Sequence, residues 1–254
     1  MKYLFSIVFI ALLFSCQTET ITGEAPIIGN PPMEGFNEAD SDEQAIDITD
    51  QVMTAMGGRA AWDNTRYIAW NFFGRRDLFW DKQTGDVQID LPSDELTIFL
   101  NVHQDGEGVV HKNGEPYTQA DSIQYYTKRG KSIWINDSYW LVMPFKLKDS
   151  GVTLTYEGQD TTSAGEAAEV LALTFEEVGD TPENKYLVYV TPTDSLIKQW
   201  DFYRNASDSL PSFATPWANY QPYGDILLSD NRGERGLSDI AVYDELPNNF
   251  EWIK

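Results

Sequence analysis

The sequence predicts a mainly β protein: a large, curved antiparallel sheet of about eleven or twelve strands whose concave side is closed by helices. Three observations carry this. Short alternating apolar runs recur at roughly ten-residue spacing from Tyr67 to Tyr243, separated by polar or glycine-containing turns. No strand–helix–strand alternation of the kind that builds parallel sheets appears among them. Helical periodicity is confined to a stretch after Asp42 and another between Gln119 and Met143.

The first helix runs from about Asp42 to Met56, with Ala45, Ile48, Val52 and Ala55 or Met56 at three- and four-residue spacing and Gly57-Gly58 closing it. Its apolar face is narrow, as suits a helix laid on a sheet. Arg59 to Asn64 adds one more turn. The first strand is Tyr67 to Phe73, with Ile68, Trp70 and Phe72 on one side and Tyr67, Ala69, Asn71 and Phe73 on the other. Both sides are largely apolar, so one face meets a core and the other a cover. Asp77 to Trp80, Val87 to Leu91, Leu96 to Val102 and Gly108 to His111 continue as a meander.

A polar helix spans about Gln119 to Arg129. Ser132 to Gly151, the densest aromatic stretch, then changes period midway. Ile133, Trp134, Trp140 and Leu141 recur at seven-residue spacing, which predicts a short helix capped by Asn136 or Asp137 and ended by Pro144. Phe145 and Leu147 alternate with Lys146 and Lys148, and Asp149-Ser150-Gly151 turns this run into Val152, Leu154 and Tyr156, which predicts a hairpin. The remaining strands are Val152 to Glu157, Glu169 to Phe175, Tyr186 to Thr191, Leu196 to Tyr203, Tyr223 to Leu228 and Leu237 to Tyr243.

The N-terminus carries an address. Lys2 precedes an apolar run from Tyr3 to Phe14, and Leu13-Phe14-Ser15-Cys16 ends it. The run is too short for a membrane span, which needs roughly 20 apolar residues, and reads as an export signal. Cys16, the single cysteine of 254 residues, follows it as in the lipobox of bacterial lipoproteins, which are cleaved before the cysteine and acylated on it. The expected organisation is a lipoprotein signal peptide over 1–15, an acylated cysteine and flexible tether over 16–41, and a single domain over 42–254. The expected location is the cell envelope, held to a membrane, and specifically the outer membrane, through Cys16.

The formal charge of −22, with 40 acidic against 18 basic residues, excludes nucleic acid as a partner, because such a surface repels phosphate backbones. It also leaves membrane attachment to an acyl anchor. With one cysteine, no disulfide can form within the chain.

Catalytic and metal signatures are missing from the sequence. His103 and His111 flank a glycine-rich turn without the further N, S or O ligands that a zinc or iron site gathers, so no metal is expected. Asp94-Glu95 and Glu176-Glu177 are sequence neighbours, which on a strand point to opposite faces. There is no nucleophile elbow, no phosphate-binding glycine loop and no His-Glu-x-x-His, so no cofactor is expected either. Aromatic content stands out instead, with 8 Trp, 13 Tyr and 13 Phe. Most of these fill a core of this size. As ligand-binding candidates we take Trp70, Phe72, Trp80, Phe99, Trp134 and Trp140 as the lining of an apolar hollow. Lys128, Arg129 and Lys131, which cluster with Lys146 and Lys148 in an acidic chain, are taken as its cationic rim.

Met56-Gly57-Gly58 after a short amphipathic helix, a Trp-rich first strand, and the block Tyr139-Trp140-Leu141-Val142-Met143-Pro144-Phe145-Lys146-Leu147 resemble the outer-membrane lipoprotein-sorting-like proteins of Bacteroidetes-type bacteria. Those are similar in fold to the lipoprotein carrier and receptor LolA and LolB. The resemblance covers roughly Ile46 to Glu251 and implies an open half-barrel with an apolar hollow capped by helices. It transfers no functional residue. The expected function is a non-enzymatic, lipid-anchored envelope protein binding a hydrophobic or lipidated ligand. Two other classes compete: a glycan-binding or envelope-assembly module with an exposed aromatic platform and a filled hollow, and a glycan-directed hydrolase with carboxylates converging from different strands.

Overall fold

The structure is a computed structural model that describes residues 29–176 and 178–253. The expected signal peptide, Cys16 and the first part of the expected tether lie outside the described residues. Two helices come first, α1 (Glu43–Ala55) and α2 (Arg59–Asn64). Strands β1 (Tyr67–Phe72), β2 (Arg76–Asp81), β3 (Asp86–Leu91), β4 (Leu96–Asn101), β5 (Gly108–Lys112) and β6 (Glu115–Pro116) follow as a meander, then the long helix α3 (Ala120–Val142). The second half is β7 (Val152–Thr161), β8 (Ala167–Phe175), β9 (Lys185–Val190), β10 (Ile197–Tyr203), β11 (Phe213–Pro216), β12 (Ala218–Tyr223), β13 (Ile226–Arg232) and β14 (Arg235–Tyr243).

Hydrogen bonding divides the strands into a nine-stranded sheet, ordered β12-β13-β14-β1-β2-β3-β4-β5-β6, and a five-stranded sheet, ordered β11-β10-β9-β8-β7. All paired neighbours are antiparallel. The chain steps from one sheet to the other at Trp217, which is fully buried and whose N–H donates to the Lys198 carbonyl at 2.7 Å. Thr215 Oγ1 reaches the Arg232 carbonyl at 3.1 Å across the same seam. The result is an open antiparallel wall, not closed into a barrel, with α3 on its inner side.

The inner face of the large sheet follows from strand alternation. Trp70, Leu78, Ile89, Ile98 and Val110 pair across five strands in one row, and Ile68, Trp80, Val87 and Leu100 across four in the next; all are buried. Helix α3 presents Gly130, Trp134, Asp137 and Leu141 to this face, a stripe at helical spacing. Gly130 is where it comes closest: a Cβ there would lie 2.7 Å from Leu100 Cδ2 and 3.0 Å from Ile98 Cγ2.

The structure corrects several expected elements. Gln119 to Arg129 and the short helix after Ser132 form one 23-residue helix, so neither Asn136 nor Asp137 is a cap. Phe145 and Leu147 are not in a strand: Met143–Phe145 is a single 3-10 turn, and Lys146 N donates back to the Met143 carbonyl at 2.8 Å. Pro144 accounts for this, since it supports the first turn of a helix and offers no N–H to a ladder. Among the described residues there are fourteen strands, rather than about eleven or twelve. Phe213–Pro216 and most of Ala218–Tyr223 escape detection because they are short and only partly apolar, and the run Tyr223 to Leu228 straddles the Gly224-Asp225 turn between β12 and β13. Residues 33–42 run along β7, with Met33 N on the Lys148 carbonyl and Asn37 Nδ2 on Thr153 Oγ1 at 3.0 Å.

Candidate functional site

Five of the six aromatic candidates come together in the hollow. Trp70, Phe72 and Trp80 rise from β1 and β2 and are buried, while Trp134 and Trp140 descend from α3 and are half-buried. Trp134 meets Trp80 edge-on at 5.3 Å between ring centroids, and Trp80 meets Trp62, which stacks on Phe145 at 4.4 Å. Two turns further along α3, Trp140 packs edge-on against Phe73 at 5.3 Å and Trp200 at 4.7 Å. At both levels the helix's own aromatic side chains fill the hollow.

Phe99 does not join them. It pairs with Gln88, which pairs with Phe79, so it belongs to the outer face of the sheet. The C-terminal segment covers that face: Phe250 stacks on Phe79 at 3.8 Å, Trp252 lies 5.4 Å from Phe99, and Ile253 N donates to Gln88 Oε1 at 3.0 Å.

The cationic candidates sit on the first half of α3, with Lys131 about one turn before Trp134 and all three well before Trp140. Lys128, Lys131 and Ile135 share a helix side that borders an open cleft of about 430 Å³, whose other walls are Leu100, the segment from Gln104 to Glu107, and Asp180. Lys131 pairs with Asp105 across the cleft, and Arg129, outside it, pairs with Asp94 at 3.2 Å. Lys128 is exposed. Lys146 pairs with Asp149 and Lys148 with Asp50.

Two charged groups that the sequence does not mark hold α3 in place. Asp137 is fully buried and takes both arms of Arg76, Nε to Oδ2 at 2.8 Å and Nη2 to Oδ1 at 2.9 Å; Asn136 Nδ2 adds a third bond at 2.8 Å. Burial pushes its carboxyl up to about 6 against the pull of Arg76 and Asn136. Arg232 is buried over the Trp217 ring, 3.5 Å from its centroid, and donates to the Trp140 carbonyl at 2.7 Å and Ser229 Oγ at 2.8 Å. It therefore caps the C-terminal end of α3, where unpaired carbonyls gather. Burial pulls its guanidinium down to about 9.

The remaining buried carboxylates are separately engaged. Asp81 is held by Arg66 at 3.1 Å, and Asp201 by Tyr189 Oη at 3.0 Å and Gln199 Nε2 at 2.8 Å. They stand on different elements and do not converge. Among the described residues no group of three or more His, Cys, Asp or Glu is placed to hold a metal ion, and no helix is long and apolar enough to cross a membrane.

No family model matches the chain, and no curated protein matches it. Among solved structures it is similar to a DUF1329 family protein from Desulfovibrio piger, at 12% identity over 82% of this chain and 96% of that one, with a TM-score of 0.42. It is also similar to a structure described as an outer-membrane lipoprotein-sorting protein domain from Vibrio parahaemolyticus, at 9% identity over 82% of this chain and 95% of that one, TM-score 0.40. A third is a LolA superfamily protein from Nitrosomonas europaea, at 12% identity over 80% of this chain and 95% of that one, TM-score 0.38.

Proposed function

We propose that this chain is a lipid-anchored protein of the cell envelope, of the outer-membrane lipoprotein-sorting-like kind, that binds a hydrophobic or lipidated ligand where α3 meets the curved sheet and performs no chemistry on it. The observation that supports this best is the cleft along α3. Leu100 and Ile135 give it apolar wall, and Lys128 and Lys131 stand at its edge for an anionic headgroup. A longer acyl chain requires α3 to lift from the sheet. Native mass spectrometry of the domain purified from its host tests the reading through a co-purifying lipid. Replacing Lys128, Arg129 and Lys131 with Gln is expected to weaken binding of a fluorescent anionic lipid in a salt-dependent manner and to spare a neutral analogue. Equal loss for both, or no loss for either, removes the cationic rim.

The filled hollow favours a second reading, an envelope-assembly or glycan-binding module. In that case the ligand meets an outer aromatic surface such as the one around Phe99, Tyr243 and Trp252, and substitutions in the cleft leave binding unchanged.

A further inference from the structure

We propose that the cleft along α3 holds the polar end of its ligand by two opposite charges at once, a phosphate and a primary ammonium on one group, as in phosphoethanolamine; this rests on the lipid reading of the same cleft and names the headgroup. The first observation is how charge is divided between the walls. The helix wall is cationic, with Lys128 and Lys131, and the acids of α3, Asp121 and Asp137, lie outside the cleft. The facing wall is anionic. Asp105 and Glu107 come from the loop between β4 and β5, and Asp180 from the loop between β8 and β9.

Two positive and three negative side chains therefore line the cleft, so it does not suit an anion alone. A phosphatidylglycerol headgroup answers the lysines and leaves the loop carboxylates facing a like charge. A group that carries a cation beyond its phosphate answers both walls, and having no net charge it is not repelled by a protein of charge −22. Lys131 already makes one such contact: its Nζ donates to Asp105 Oδ1 across the cleft, so the walls stand close enough for one short group to touch both. Lys128, Glu107 and Asp180 are exposed and make no ion pair among the described residues, which leaves both signs of charge for a ligand.

The lining also selects the kind of cation. It contains no aromatic side chain, whereas quaternary ammonium groups are held in aromatic cages. Carboxylates and the amide oxygens of Gln104 and Gln124 accept N–H bonds instead, which a primary ammonium donates and a trimethylammonium lacks.

The back of the cleft is shut. A Cβ on Gly130 would lie 2.7 Å from Leu100 Cδ2, and one on Gly108 would lie 2.3 Å from Thr127 Cγ2, so α3 rests directly on β4 and β5 behind the lining. The apolar side chains of the lining are Leu100 and Ile135. The cleft therefore fits a compact polar group, and the acyl part of the ligand depends on the lifting of α3.

Native mass spectrometry of the full chain in a nonionic detergent, titrated with short-chain lipids of one acyl length, tests the headgroup. Phosphatidylethanolamine is expected to bind about tenfold more tightly than phosphatidylglycerol or phosphatidylcholine. Glu107→Gln with Asp180→Asn removes that preference by weakening the ethanolamine lipid alone; both carboxylates are exposed, so their loss leaves the fold intact. Lys128→Gln with Lys131→Gln weakens all three phospholipids and leaves uncharged diacylglycerol unaffected. Equal or tighter binding of the glycerol lipid, equal binding of the choline lipid, or a carboxylate variant that keeps the preference overturns the proposal while leaving the cleft as a lipid site. Free O-phosphoethanolamine is expected to compete only at concentrations well above those of the lipid. Equal affinity would make the ligand a soluble zwitterion, keeping the paired charges and removing the acyl ligand. Binding of none of these probes overturns both readings.

Discussion

Asp137 shows how one residue's meaning is set from a distance. In the sequence it reads as a helix cap beside Asn136; in the fold it is a buried carboxylate whose partner, Arg76, comes from β2. Nothing within its local window reports that. Its raised value has a definite consequence for stability. A carboxyl that titrates near 6 when folded and near 4 when unfolded keeps its proton more tightly in the native state. Its contribution is therefore fully present below about pH 4 and is lost as pH rises through about 6, amounting to roughly 2–3 kcal/mol. Urea unfolding of the parent and of Asp137→Asn should then differ in slope: the parent loses this increment between pH 4 and about 6.5, and the variant does not. Parallel pH profiles would show that Arg76 already holds the carboxylate at an ordinary value.

Among the elements, those with strong periodicity and local stops were legible: α1 with its Gly57-Gly58 end, β1 with Trp70 between Ile68 and Phe72, and the meander to β5. In the sequence, helix α3 reads as two pieces because its first half is polar and Gly130 weakens the pattern. That glycine is required by tertiary contact, since the helix rests on Ile98 and Leu100 there. Gly130→Val is expected to cost about 1–3 kcal/mol in denaturant unfolding through overpacking, although glycine is intrinsically unfavourable in a helix interior. A neutral or stabilising result would mean that α3 has room to lift at this point. Phe99 is a different case. Alternation in β4 sets it with Thr97 and Asn101, opposite Leu96, Ile98 and Leu100, so its polar company marked the outer face, and only the cover by Trp252 explains an aromatic side chain there.

At the scale of the whole molecule, the antiparallel curved wall with a helix inside it was readable from strand spacing alone, whereas the candidate site was readable only as a set of aromatic residues. Their grouping in the hollow depends on α3, and the Arg76–Asp137 and Arg232–Trp140 contacts that fix α3 join residues 61 and 92 positions apart. The proposed anchor belongs to this scale too. Cys16→Ala is expected to move the protein from the membrane fraction to the soluble fraction, because each buried methylene of an acyl chain contributes about 0.8 kcal/mol and the acidic body offers no substitute. Retention on membranes after a salt wash would remove the lipoprotein reading.

The place of β14 carries a consequence for how the protein comes into being. The first strand and the last are partners in the middle of the nine-stranded sheet, with Tyr67 opposite Tyr243 and Phe72 opposite Leu237. A chain emerging from a ribosome N-terminus first thus holds β1 with one edge unpaired until Arg235–Tyr243 arrives, and the outer cover at Phe250 and Trp252 comes later still. Pairing over so long a stretch of chain is slow to nucleate. The sheet, and with it the hollow, is therefore completed only once β14 has been made, and export of the proposed kind would act on a chain in which that pairing has yet to form.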